Sequence, residues 1–124
     1  MLLVRKLQLH REFPLSGSDL FTGTLDLLIL RALEDGPKHG YAIGRWIRTR
    51  SADALTVEEG ALYPALHRQQ GRGFLESHWG QTETGRRAKF YRLNDAGREA
   101  LHNERDRWTT YSKAVHAVLK RARA

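Results

Sequence analysis

The sequence contains no cysteine, and that single absence removes disulfide scaffolds, thiolate nucleophiles and every cysteine-based zinc site. It fits a reducing compartment, and a cytoplasmic location is expected. Long hydrophobic runs are also missing. The longest, Leu27–Leu30 with Ala32 and Leu33 just beyond, falls far short of the roughly 20 apolar residues that span a bilayer, so no membrane partner is expected. Met1–Leu9 is interrupted by Arg5 and Lys6 and leads into His10-Arg11-Glu12 rather than a small-residue cleavage site, which is unlike a secretory signal. Residues 1–21 read as an N-terminal extension, partly disordered.

Catalytic signatures are equally scarce. There is no Gly-x-Ser-x-Gly elbow, no P-loop and no dinucleotide fingerprint. The histidines, His10, His39, His67, His78, His102 and His116, include no pair four residues apart, and no carboxylate completes a ligand set. The acidic pairs Glu34-Asp35 and Glu58-Glu59 fall at expected helix ends, where capping accounts for them. Neither an enzyme nor a metal or other cofactor is expected.

What the chain does have is positive charge, unevenly placed. Its 124 residues, 40% of them hydrophobic, suffice for one core. The net charge is +7, with residues 1–60 balanced at 8 basic and 8 acidic side chains and residues 61–124 carrying 13 against 6. A positive field confined to one half attracts a polyanion.

Hydrophobic spacing places the elements. Residues 24–34 carry apolar side chains at 25, 28, 29, 32 and 33, and Leu27 and Leu30 make the opposite face apolar too, so this helix is expected to be covered on two sides. Thr22 or Thr24 can cap it, Asp26 suits its positive end, and Gly36-Pro37 stops it. Residues 39–50 put Ala42, Ile43, Trp46 and Ile47 on one face and Arg45, Arg48 and Arg50 on the other. A third helix is expected from a capping box at Thr56–Glu59 to Gly71, with regular structure from near Gly60 so that Pro64 falls in or beside the first turn. Two aromatic segments, GFLESHW and AKFYRL, read as a hairpin around a long polar loop that is basic at its far end. Asn94 then caps a last helix whose apolar stripe, Leu101, Trp108, Tyr111, Val115 and Val118, is long for so small a domain. Trp46 and Trp79 read as core residues, since large aromatics dominate burial in a small domain.

The expected fold class is mainly α with a small β-hairpin: a winged helix-turn-helix domain over residues 22–94 plus a long C-terminal dimerisation helix over 95–124. Three short helices and a hairpin is the order in which the third helix lies in the major groove and the hairpin loop touches the backbone beside it. His67 and Arg68 on the third helix, and Arg86, Arg87 and Lys89 at the hairpin, supply cations for that role.

The segments GTLDLLILRALEDGPKHGYAI, EEGALYPALHR and GFLESHW…GRRAKFYRLNDAGREAL resemble the PadR-like family of transcriptional regulators in order and spacing, over roughly residues 22–119. The resemblance implies a dimeric repressor on a palindromic operator in double-stranded DNA. It implies that Tyr63 and its neighbours Gly60, Ala61, Leu62 and Pro64 approach DNA, that His39 and Tyr41 lie near phosphates, and that Arg86, Arg87 and Lys89 lie on the wing. The first helix, with Leu27 and Leu30, and the last, with Leu101, Trp108, Tyr111, Val115 and Val118, would build the homodimer. In some relatives a flat aromatic effector stacks between subunits, a place Trp108 would line. Ala61 departs from the family, which usually has a hydroxyl residue there. Ala61 can pack against a thymine methyl but donates no hydrogen bond, so the docking geometry carries over and the base preference does not. The rival reading is a winged-helix adaptor whose basic hairpin meets an acidic protein or RNA.

Overall fold

The computed structural model describes residues 22–122, so the expectation for the first 21 residues lies almost wholly outside it. The elements run α1 (Thr22–Ala32), β1 (Lys38–His39), α2 (Gly40–Arg50), α3 (Glu59–Gly71), β2 (Leu75–Gln81), β3 (Arg87–Leu93) and α4 (Asp95–Leu119). This is the expected winged-helix order with one addition. The two residues before α2 pair with β3, Lys38 opposite Tyr91 and His39 opposite Phe90, giving a three-stranded antiparallel sheet in the order β1-β3-β2.

Helix α1 is covered on both sides, as its double apolar face requires, and touches α2, α3 and α4. Leu25, Ile29, Leu30 and Leu33 meet Ile43 and Ile47 of α2, Leu62, Ala65 and Leu66 of α3, and Leu75, Tyr91 and Leu93 of the sheet, with Leu101 of α4 closing the core. Three expected site residues, Leu30, Leu62 and Leu101, are therefore core residues, each only 2% exposed. They sit on the inner sides of their helices, so they shape the surfaces beside them without reaching a partner. No described helix is long and apolar enough to cross a membrane.

The start of α3 differs from expectation. Its cap is Glu58, which makes no side-chain capping bond, and the helix begins at Glu59, so Thr56 forms no capping box and Pro64 lies in the second turn. The carbonyl that Pro64 leaves without a helical N–H is that of Gly60, and Gly60 is exposed.

The hairpin is longer than expected and its loop shorter. Strands β2 and β3 pair from Leu75 opposite Leu93 out to Gln81 opposite Arg87, leaving a tight turn in which Thr82 N–H donates to the Arg86 carbonyl at 2.8 Å and Gly85 takes φ +85°. Arg87 and Lys89 are therefore strand residues, and only Arg86 belongs to the turn. Gly80, which reads as a strand breaker, lies within the strand because the Phe90 ring covers it, 3.0 Å from where a Cβ would stand.

Helix α4 starts at Asn94, whose side-chain oxygen accepts the Gly97 N–H at 2.8 Å, the expected cap. It continues for 25 residues, roughly 37 Å at 1.5 Å per residue. An ion pair of 2.7 Å from Arg105 to Glu34 is its outermost tie to α1 among the described residues, and beyond it the helix stands clear of the domain.

Candidate nucleic-acid interface

Three element ends converge on one open cleft of about 780 Å³, between the start of α2, the start of α3 and the hairpin. His39 begins the construction. Its extended backbone ends β1, and its Nδ1 accepts the Ala42 N–H at 3.3 Å to cap α2, which leaves Nε2 as the ring's donor. The ring lies parallel to that of Tyr41, with centroids 6.4 Å apart. Tyr41 is exposed, and Arg45 lies one turn further along with its guanidinium 5.9 Å from the Tyr41 ring. The sequence order His-Gly-Tyr thus sets a cap, a space and a projecting phenol at the mouth of the cleft.

The space belongs to Tyr63. A Cβ on buried Gly40 would stand 2.7 Å from the Tyr63 hydroxyl and 2.8–2.9 Å from its ring carbons, so only glycine lets α2 and α3 approach this closely. Gly40→Ala should push the Tyr63 ring out of its seat while leaving the Leu62, Ala65 and Leu66 side of α3 in the core. The expected outcome is a folded protein with a Tm lowered by a few degrees, for about 1 kcal/mol of overpacking, and a disproportionate loss of ligand affinity. An affinity that falls no more than stability does would separate Gly40 from the site.

Tyr63 leans toward Tyr91 of β3. Burial, and after it the nearby Tyr63, push the Tyr91 phenol above the usual tyrosine range. Lys89 places its ammonium 5.8 Å from the Tyr91 ring, and Arg87 its guanidinium 4.5 Å from the Trp79 ring. Trp79 itself is 60% exposed, against the expectation of a core residue. It shares the sheet face of Leu75 and Leu93, but four residues out along β2 the helices no longer cover that face.

Electrostatics separate the cleft from the rest of the surface. Arg31, Arg48, Arg92, Arg105 and Arg107 all pair with carboxylates. Arg45, Arg86, Arg87 and Lys89, which line the cleft, have no carboxylate partner among the described residues. Lys38 joins them, with its ammonium also bonded to the Ala32 carbonyl at 2.7 Å. Burial lowers its pKa, while Asp35 pulls the other way. Against these five cations the cleft holds Glu59 and Glu83, so its field is positive and aimed at an anion.

The expected site residues divide accordingly. His39, Tyr41, Tyr63, Arg86, Arg87 and Lys89 share the cleft. Gly60, Pro64 and His67 are exposed on α3 outside it, and Ala61 is half-buried against the core. Arg68 faces elsewhere, because the nearly buried Asp26 draws it in at 2.9 Å together with Arg72 at 3.4 Å. Gln69 adds a bond of 2.9 Å to the Asp26 carbonyl. Asp26 is therefore no helix-end charge but the receptor that locks α3 onto α1, since a carboxylate removed from water needs compensating cations. Sequence reasoning left Gly40, Lys38, Arg45 and Trp79 out of the site. The spacing from Tyr41 to Arg45, one helical turn, was the available signal for the arginine.

On α4, Trp108, Tyr111, Val115 and Val118 are all exposed, with Trp108 at 45% and Val118 at 84%, and Leu27 is half-buried on α1. The stripe that begins inside the core at Leu101 thus runs out into solvent.

Residues 29–103 match the transcriptional regulator PadR-like family. A transcriptional regulator of Clostridium thermocellum has a similar structure, 28% identical with a TM-score of 0.71, over 79% of this chain and 92% of that one. A PadR family transcription regulator of Clostridium difficile is also 28% identical, with a TM-score of 0.67, over 77% of this chain and 98% of that one. Bacillus subtilis PadR, solved in complex with operator DNA, is 26% identical with a TM-score of 0.58, over 64% of this chain and 45% of its own.

Proposed function

The chain belongs to the transcriptional regulator PadR-like family, and from that premise we propose that it is a repressor that binds a palindromic operator in double-stranded DNA as a homodimer. The observation that carries this reading is the cleft. Cations without acidic partners on α2 and the hairpin flank Tyr63 at the start of α3, which is where a recognition helix and a wing would meet the phosphates on either side of a major groove. The operator complex of Bacillus subtilis PadR supports the same docking.

The exposed stripe of α4 supports the homodimer. A second copy laid on it covers Trp108, Tyr111, Val115 and Val118 and sets two α3 helices about 34 Å apart, in successive major grooves. Selection of tight binders from random duplex DNA tests the whole reading. An inverted repeat with half-site centres about one helical turn apart is the expected product. Equal micromolar binding to every duplex and to single strands would instead favour an adaptor for RNA or an acidic protein.

The roles within the site separate in titration. Replacing Arg86 and Arg87 together by Ala should weaken every duplex alike and flatten the dependence of log K on log salt by about two units of slope, one per lost phosphate contact. Ala61→Ser, which adds a hydroxyl on the half-buried flank of α3, should change base preference and leave the slope alone. Loss of selectivity from the arginine pair equal to that from Ala61 would end this division of labour.

A further inference from the structure

Trp79 is the anomaly of the hairpin. A tryptophan with more than half its surface in water contributes little to folding, and its place on β2 lies past the last residue the helices cover. It is one partner of a defined contact: the Arg87 guanidinium carbon lies 4.5 Å from its ring centroid. Trp79 stands directly opposite Lys89 in the ladder, which makes Arg87 its diagonal neighbour on the same face, within reach of long side chains. Arg87 lines the cleft and Trp79 lies outside it, so the indole backs the guanidinium from behind.

The type of partner matters. On the opposite face of the same hairpin, Arg92 is bound by the Glu76 carboxylate, which occupies its in-plane N–H donors. An aromatic platform covers only the flat face of a guanidinium and leaves those edge donors available. Pairing with an indole therefore restricts the arginine without consuming its bonding capacity. It removes in advance part of the side-chain entropy that a contact would otherwise cost.

We propose that Trp79 is a positioning residue of the DNA interface, whose indole holds the Arg87 guanidinium edge-on to the cleft so that its N–H donors meet a phosphate of the duplex. This inference rests on the DNA-binding reading above.

The test is a double-mutant cycle in the full chain, with one selected duplex titrated at several salt concentrations. Trp79→Ala is expected to weaken binding about three- to tenfold with the salt slope unchanged, because the phosphate contact is still made. Arg87→Ala reduces the slope by about one, and adding Trp79→Ala in that background has no further effect. Trp79→Leu keeps apolar bulk for folding but lacks the π face, and shows the same loss as Trp79→Ala; Trp79→Phe restores most of the affinity. Wild-type affinity in Trp79→Leu, or an equal loss from Trp79→Ala with and without Arg87, overturns the proposal while the DNA reading stands. A wild-type chain that binds no duplex overturns both.

Discussion

Trp108→Glu should split the dimer and lower affinity for an inverted-repeat duplex by about a hundredfold or more, leaving the winged-helix domain folded. The stripe explains the size of the effect. At about 100° per residue, Leu101, Trp108, Tyr111, Val115 and Val118 fall on one face of α4. The root of that face is sealed in the core by Leu101, and everything from Trp108 outward is exposed. Trp108 is the largest of these side chains, and its ring lies 6.1 Å from that of Tyr111, which makes the pair the natural centre of a seam. Two carboxylates facing each other in a dry seam cost several kcal/mol, since each is desolvated without a cation. The domain itself loses nothing, because Trp108 makes no contribution to its core.

The affinity follows from geometry rather than contacts. A dimer seats its second α3 at an effective concentration in the millimolar range, an advantage of about a hundred- to ten-thousandfold that a monomer forfeits. The salt slope should fall to about half, because half the phosphates are touched. Sedimentation checks the first claim and titration the second, with Trp108→Phe as the control that keeps both. A Trp108→Glu chain that still sediments as a dimer would remove α4 from the interface and with it the proposed spacing of half-sites.

Local rules recovered the elements that local forces decide. The helical spacing of α1 and α2, the Asn94 cap and the order of helices and hairpin were all legible. The family segments pointed to His39, Tyr41 and Tyr63 before any coordinates. What was not legible depended on partners far along the chain. Asp26 reads as a helix-end charge until Arg68 and Arg72, more than forty residues away, are seen to bind it. Gly80 reads as the end of a strand until the Phe90 ring is seen to cover it. Apolar residues counted toward the partner surfaces, Leu30, Leu62 and Leu101, belong to the core because periodicity marks a face without saying what covers it. Trp79 fails the opposite way: its composition says core, while its distance along β2 says solvent.

Gly97→Ala should be the most destabilising single-methyl change in the protein, although glycine-to-alanine in a helix ordinarily stabilises by about 0.5–1 kcal/mol. The sign reverses because of what the first turn of α4 rests on. A Cβ at Gly97 would run into the Phe74 carbonyl oxygen, far inside contact distance, and would meet Leu93 Cδ2 at 3.2 Å. That carbonyl cannot step aside freely. It accepts the Asn94 N–H at 3.3 Å, and the Asn94 side chain also holds the Gly73 carbonyl at 2.7 Å, so the turn before β2 and the cap of α4 move together or not at all. Relief requires α4 to lift off the hairpin, at a cost of about 1–3 kcal/mol or more for an overpacked site and a Tm several degrees lower. Gly23→Ala is the matched control, also helical but with open space around the added methyl, and should leave Tm unchanged or slightly raised. The consequence reaches the function. Since α4 carries the proposed seam, tilting its first turn moves two recognition helices relative to each other. A Gly97→Ala chain that still folds should therefore lose affinity for the inverted repeat by more than it loses for one half-site. Equal losses on both, or a Tm no lower than wild type, would mean that the close approach at Gly97 sets neither stability nor spacing.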